Sequence, residues 1–281
     1  MSGGFPIGLE ITNTADNGTD TTNSAGLVIA PNASANTKGS YVQFTPPSTT
    51  ASDCVLVTIC TRLNDLAAVD YSLDFAVGTG GSQKVIFNNL VLPDTTVTSL
   101  GTIYQFPAVI PAGSAIWGAT QCSGASAAGP RVSALISDGA FTNMEGAAGV
   151  DAVGFSTGST KGTVITCSPG GVANTKGNYV QLTGSAARDY MGFCIALDSL
   201  GGTLPTDNSA LFDIAVGGSG NEKIIVPNYF ARFSASSFWS PVVSPFFAIP
   251  IPSGTAISAR YQATTTTANA STNITLYGIY R

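Results

Sequence analysis

Histidine is absent from the 281 residues. That single count removes the Ser-His-Asp and Cys-His nucleophile arrangements and every His-ligated metal site. A glycosidase needs only two carboxyls, and the acids that draw attention are Asp74 and Asp213, because each opens the same block: Asp74-Phe75-Ala76-Val77-Gly78 and Asp213-Ile214-Ala215-Val216-Gly217. A residue repeated once per copy points to architecture, such as capping a hairpin or a neighbouring backbone, rather than to a catalytic pair. Each block runs into a glycine-rich loop ending in Lys84 or Lys223. A phosphate-cradling loop needs Gly-Lys-Ser/Thr at the start of a helix, whereas these lysines open apolar β runs, so the loops read as hairpin turns. Asp16-Asn17-Gly18-Thr19-Asp20 offers oxygen ligands for Ca²⁺. It lacks the later acidic ligand and has no counterpart in the second copy, so Asp16 and Asp20 read as a solvated loop. Cys54, Cys60, Cys122, Cys167 and Cys194 are widely spaced, mostly in apolar segments, and read as buried reduced thiols. Asn17, Asn32, Asn269 and Asn273 open glycosylation-type triplets, which carry little weight in a chain this rich in Asn, Ser and Thr. The expectation is no catalytic residue, no cofactor and no metal.

The elements behind these residues come in two copies. Ala35-Asn36-Thr37-Lys38-Gly39-Ser40-Tyr41-Val42-Gln43 returns as Ala173-Asn174-Thr175-Lys176-Gly177-Asn178-Tyr179-Val180-Gln181, an offset of 138. The Asp74 block returns at 139, and Ile110-Pro111-Ala112-Gly113-Ser114-Ala115-Ile116 returns at 141 as Ile251-Pro252-Ser253-Gly254-Thr255-Ala256-Ile257. Three blocks in one order place modules at 7–139 and 151–281, joined by a Gly/Ala-rich linker at 140–150. Leu73, Phe75 and Val77, like Phe212, Ile214 and Val216, alternate with smaller or polar residues, the period of a strand with one core face. About eight short strands per module, with Gly, Pro and Ser/Thr turns, predict an all-β chain of two tandem jelly-roll-like sandwiches. Strand order is not readable from sequence, which leaves an immunoglobulin-like sandwich open.

Composition bounds the partners. The chain is 44% hydrophobic and only 10% charged, against the roughly 25% charged residues usual in soluble domains. Much of its surface is therefore expected to lie against neighbours. The net charge of −5, without a Lys/Arg run, argues against nucleic acid. No apolar stretch reaches membrane-spanning length, and no secretory signal is visible, so folding in a cytoplasm is expected.

Three segments of the second module carry a resemblance: Asp213 to Gly217, Lys223-Ile224-Ile225-Val226-Pro227-Asn228, and Ile251 to Arg260. Here the chain resembles β-rich virion proteins of tailed bacteriophages, of the capsid decoration or cement, head-fibre or tail-fibre type. The resemblance implies a virion location, a homo-oligomer with a trimer favoured, and contact with capsid or tail proteins. It carries over no catalytic residue. The expected function is that of a structural capsid decoration protein; the alternative is a fibre or spike binding a host receptor or glycan. The second module also has an aromatic surplus. Tyr229, Phe230, Phe238, Trp239, Phe246 and Phe247 are either core or the centre of a subunit or partner contact.

Overall fold

The structure, a computed structural model, describes residues 19–20, 25–44, 52–62, 70–92, 103–111, 114–125, 129–138, 147–156, 158, 160, 162–166, 172–198, 208–233, 242–264 and 271–281. Its described regular elements are all strands. The first module contributes β1 (Thr19–Asp20), β2 (Ala25–Val28), β3 (Val42–Gln43), β4 (Ser52–Arg62), β5 (Tyr71–Gly78), β6 (Lys84–Leu92), β7 (Ile103–Ile110), β8 (Ala115–Cys122) and β9 (Arg131–Asp138). The second contributes β10 (Gly149–Val153), β11 (Thr163–Thr166), β12 (Val180–Thr183), β13 (Tyr190–Asp198), β14 (Asn208–Val216), β15 (Lys223–Phe233), β16 (Val242–Val243), β17 (Ile257–Ala263) and β18 (Ser271–Tyr280).

The strand orders repeat. In the first module β2-β9-β4-β7 faces β6-β5-β8-β3; in the second β11-β18-β13-β16 faces β15-β14-β17-β12. Counted within a module, these orders are 1-8-3-6 and 5-4-7-2, the two interleaved Greek keys of a jelly roll. The duplication seen in sequence is thus a duplication of topology, and the order excludes the immunoglobulin arrangement. The glycine-rich loops are hairpin turns in both copies. Ser82 N–H donates to the Thr79 carbonyl and Asn221 N–H to the Gly218 carbonyl, each at 2.9 Å. Gly81 and Gly220 sit at φ +85° and +83°, where a side chain would be strained.

The modules are not beads on a string. β10 pairs antiparallel with β18 of its own module and parallel with β6 of the other, with Val150 opposite Phe87. One sheet of each module is thereby fused into a nine-stranded sheet, β16-β13-β18-β10-β6-β5-β8-β3 with β11 beside β18. Residues 149 and 150, within the stretch read as a linker, are already strand. The close approach explains Gly149, since a Cβ there would meet the Ile86 carbonyl oxygen at 2.6 Å and the Tyr280 hydroxyl at 2.5 Å.

Fusion buries β13 and β18 on both faces. Phe193, Ile195, Leu197, Ile274, Leu276 and Tyr280 join the second module's core. Cys194, Ala196, Tyr277 and Ile279 join the first module's core instead, beside Phe75, Phe87, Tyr104 and Phe106. Tyr277 ties the bodies together: its ring meets Tyr104 edge-on at 5.7 Å. Its hydroxyl accepts from the Val91 N–H at 2.8 Å and donates to the Asn89 carbonyl at 3.1 Å. A second tie comes from the segment after β10. Thr160, buried and at φ 57°, donates from Oγ1 to Asn36 Oδ1 at 2.7 Å and accepts from Gln121 Nε2 at 3.2 Å.

Candidate interaction surface

The repeated blocks meet in space. In the first module Lys38 Nζ lies 2.8 Å from Asp74 Oδ1, which also accepts the Asn89 N–H at 2.7 Å. In the second, Lys176 Nζ lies 2.8 Å from Asp213 Oδ1, and that oxygen accepts the Asn228 N–H at 2.9 Å. Asn89 and Asn228, at φ 49° and 50°, lie where the pairing of the hairpin strands shifts register. Each aspartate therefore caps a β-bulge, satisfying an N–H that the ladder leaves out.

The second copy adds Arg260, whose Nε lies 2.9 Å from Asp213 Oδ2 and whose guanidinium stacks 4.4 Å from the Tyr179 ring centre. Burial alone would raise the Asp213 carboxyl. The bonds from Lys176, the Asn228 N–H and Arg260 outweigh it and hold the pKa below its ordinary value. Burial is also the main influence on Lys38, whose pKa it lowers against the pull of Asp74. An aspartate locked to cations and a backbone N–H is a poor proton donor and a poor nucleophile. Two further acids have partners of other kinds: Asp151, whose carboxyl burial pushes up against the pull of Arg188 at 3.1 Å, and Asp189, which accepts the Ser253 N–H at 2.7 Å.

The aromatic segment divides. Phe247 packs on the second core, 5.5 Å from Phe193 and 5.9 Å from Tyr229 between ring centres. Phe246 packs on the first core, so these neighbours serve opposite faces of the fused sheet. Phe230 is different: it is 60% exposed on β15, and Ile224, towards the other end of that strand, is 41% exposed. Phe238 and Trp239 lie outside the described residues. β15 is the end strand of the four-stranded sheet, and among the described residues it pairs only with β14.

Of the remaining sequence candidates, Asp16 lies outside the described residues and Asp20 stands on β1. Lys84 and Lys223 open β6 and β15, as the hairpin reading requires. Cys122 and Cys194 are free and buried, and burial pushes the Cys194 thiol up to about 12. Cys54 and Cys60 stand on β4, and Cys167 lies outside the described residues. The Asn273 triplet is closed to modification in the folded chain: its side chain is fully buried in β18. Asn32 is used locally, its Oδ1 accepting the Ser34 N–H at 2.9 Å. Asn17 and Asn269 lie outside the described residues. Sequence reasoning missed Tyr277, Thr160 and Gly149, which make the joint between modules. The one available signal was the nearly unbroken apolar run from Tyr190 to Leu197, too apolar for a strand with a wet face.

No family model matches the chain, and no curated protein is similar to it. Among solved structures, it is similar to the N-terminal CBM22-1-CBM22-2 tandem domain of Paenibacillus barcinonensis Xyn10C, at 11% identity and a TM-score of 0.25, over 85% of this chain and 81% of that one. It is also similar to PNGF-II, at 9% identity and a TM-score of 0.32, over 86% of this chain and 59% of that one, less than two thirds of its length. No residue, ligand or activity is carried over from either.

Proposed function

We propose that this chain is a non-enzymatic structural protein that works as a stiff two-module block in a surface assembly, of the tailed-phage capsid decoration or cement type that it resembles. The observation that carries the reading is the fused sheet, which makes two jelly rolls one body at the expense of independent motion. Two supports accompany it. Asp74, Asp213, Asp151 and Asp189 are engaged in holding the fold, and Phe230 and Ile224 leave two exposed apolar side chains on an end strand. Such a block serves as a spacer or clamp better than as a hinge around a substrate.

The test is imaging of virions, and of cells, with the labelled protein. Regular coverage of a head lattice is the expected result. Label confined to a tail tip would move the reading to a fibre or spike that binds a host receptor or glycan. Turnover of a polysaccharide that disappears in Asp74→Asn or Asp213→Asn would overturn the non-enzymatic reading.

A further inference from the structure

The chain contains a worked example of how one of its modules docks on another. The receiving parts are the β6 edge, Asn36 and Gln121; the docking parts are Gly149, pressed on the Ile86 carbonyl, and Thr160, seated between Asn36 and Gln121. Every receiving element has a counterpart in the second module. β15 corresponds to β6, Asn174 to Asn36 in the repeated Ala-Asn-Thr-Lys-Gly block, and Gln262 on β17 to Gln121 on β8. Yet β15 pairs only with β14 among the described residues, Asn174 is exposed and Gln262 is half-buried. The contrast is sharpest at one position: Val91 on β6 is 1% exposed, and its counterpart Phe230 on β15 is 60% exposed.

The docking parts also recur. Gly149-Val150-Asp151-Ala152-Val153 has its match in Gly8-Leu9-Glu10-Ile11-Thr12, glycine then apolar then acid then apolar, and Thr160 lies 138 residues after Thr22, the offset that relates β11 to β2. Gly8 to Thr12 and Thr22 lie outside the described residues, so on this side the match is one of sequence, while the second module carries a receiving edge that nothing described occupies.

The geometry points to head-to-tail self-association, in which the first module of a second copy of this chain docks on β15, Asn174 and Gln262 as the second module docks on β6, Asn36 and Gln121. Such a contact is heterologous, with different surfaces on the two partners, so it closes into a ring or runs on as a filament. Two residues depart from the pattern. Ser137 stands on β9 where Tyr277 stands on β18, so the hydroxyl that meets the Val91 N–H has no counterpart. Asn88 accepts the Ala152 N–H through Oδ1 at 2.7 Å, and Pro227 stands in its place with neither that acceptor nor an N–H of its own. Proline on an open edge also discourages indiscriminate strand addition. The contact between copies is thus weaker than the internal one, and it lacks the tether that holds modules of one chain at an effective concentration of about 1 mM. It forms at high concentration or where a lattice gathers copies. That biological use rests on the assembly reading above, whereas the contact itself does not.

The test uses purified full-length chain without particles, followed by sedimentation up to about 1 mM. Wild-type mass should climb with concentration. Phe230→Arg blocks the receiving edge, and Gly8→Val with Thr22→Arg blocks the docking side. Each variant alone should lose about tenfold or more in association constant. An equimolar mixture retains one good pair of surfaces and should form a dimer and stop. Gln262→Ala and Thr22→Ala replace any variant whose melting curve shows that it has not folded. A wild type that stays monomeric, variants that assemble as it does, or a mixture that fails to dimerise would overturn the inference. Particle binding by the blocked variants is measured separately. Binding as single copies would leave the assembly reading standing while self-association failed, and loss of particle binding with intact self-association would do the reverse.

Discussion

Truncating Asp213 should be more damaging than truncating Asp74, although the two hold the same place in the two modules. Asp213→Ala leaves three donors without their acceptor: Lys176 Nζ at 2.8 Å, the Asn228 N–H at 2.9 Å and Arg260 Nε at 2.9 Å. Asp74→Ala leaves two, Lys38 Nζ at 2.8 Å and the Asn89 N–H at 2.7 Å. Removing one partner of a fully buried ion pair costs about 3–5 kcal/mol. The Asp213 side chain is only 4% exposed, but Lys176 and Arg260 retain 17% and 27%, enough water to relax part of the stranded charge. The low end of that range follows, about 3 kcal/mol for Asp213→Ala. With one cation fewer and a 13% exposed carboxylate, Asp74→Ala should cost about 2 kcal/mol. On a chain of 281 residues, 3 kcal/mol lowers the melting temperature by roughly 5 °C. Urea denaturation followed by far-UV circular dichroism, with a melting curve beside it, reads both values. A loss below about 1 kcal/mol for Asp213→Ala, or the reverse order, would refute the assignment of these aspartates as bulge caps held by cations.

Three other outcomes are expected. Because native interactions lower the Asp213 pKa, its contribution to stability is complete above about pH 5 and fades as the pH falls below about 4; the wild-type minus Asp213→Asn difference in stability should therefore shrink over that interval, and a flat difference would count against it. Tyr277→Phe keeps the ring and strands the buried Val91 N–H, so it should cost about 2 kcal/mol, read by urea denaturation, with a near-neutral result excluding the tie between modules. Phe247→Ala removes a ring packed between Phe193 and Tyr229 and should lower stability by about 3 kcal/mol; dissociation of an oligomer without loss of stability would move this residue from core to interface.

What the sequence exposes and what it hides follow from the range of the interactions involved. The hairpins at Gly78 to Ser82 and Gly217 to Asn221 are legible because glycine supplies the positive φ of a turn within a few residues of the strands it joins, and a second copy repeats the signal. Alternation at Leu73, Phe75 and Val77 is legible for the same reason: it reports a single sheet with its own core. The aspartates at 74 and 213 were half legible. Repetition gave their architectural role, but their partners Lys38 and Lys176 stand 36 and 37 residues earlier, in a block that looked separate. The joint was hidden because no local pattern marks it. Gly149 resembles any glycine of a Gly/Ala-rich stretch until the Ile86 carbonyl lies against it, and Tyr277 resembles an ordinary strand tyrosine until its hydroxyl is found on the Val91 N–H. The aromatics were misleading in a different way. A ring's size says that it must bury area, not against what, so Phe246 and Phe247, adjacent in sequence, serve different cores, while Phe230 alone among the described members of that set is mostly exposed. Its internal counterpart Val91 is buried, with its N–H on the Tyr277 hydroxyl of the neighbouring module, so the exposure of Phe230 reflects its place in the repeat as well as the residue itself.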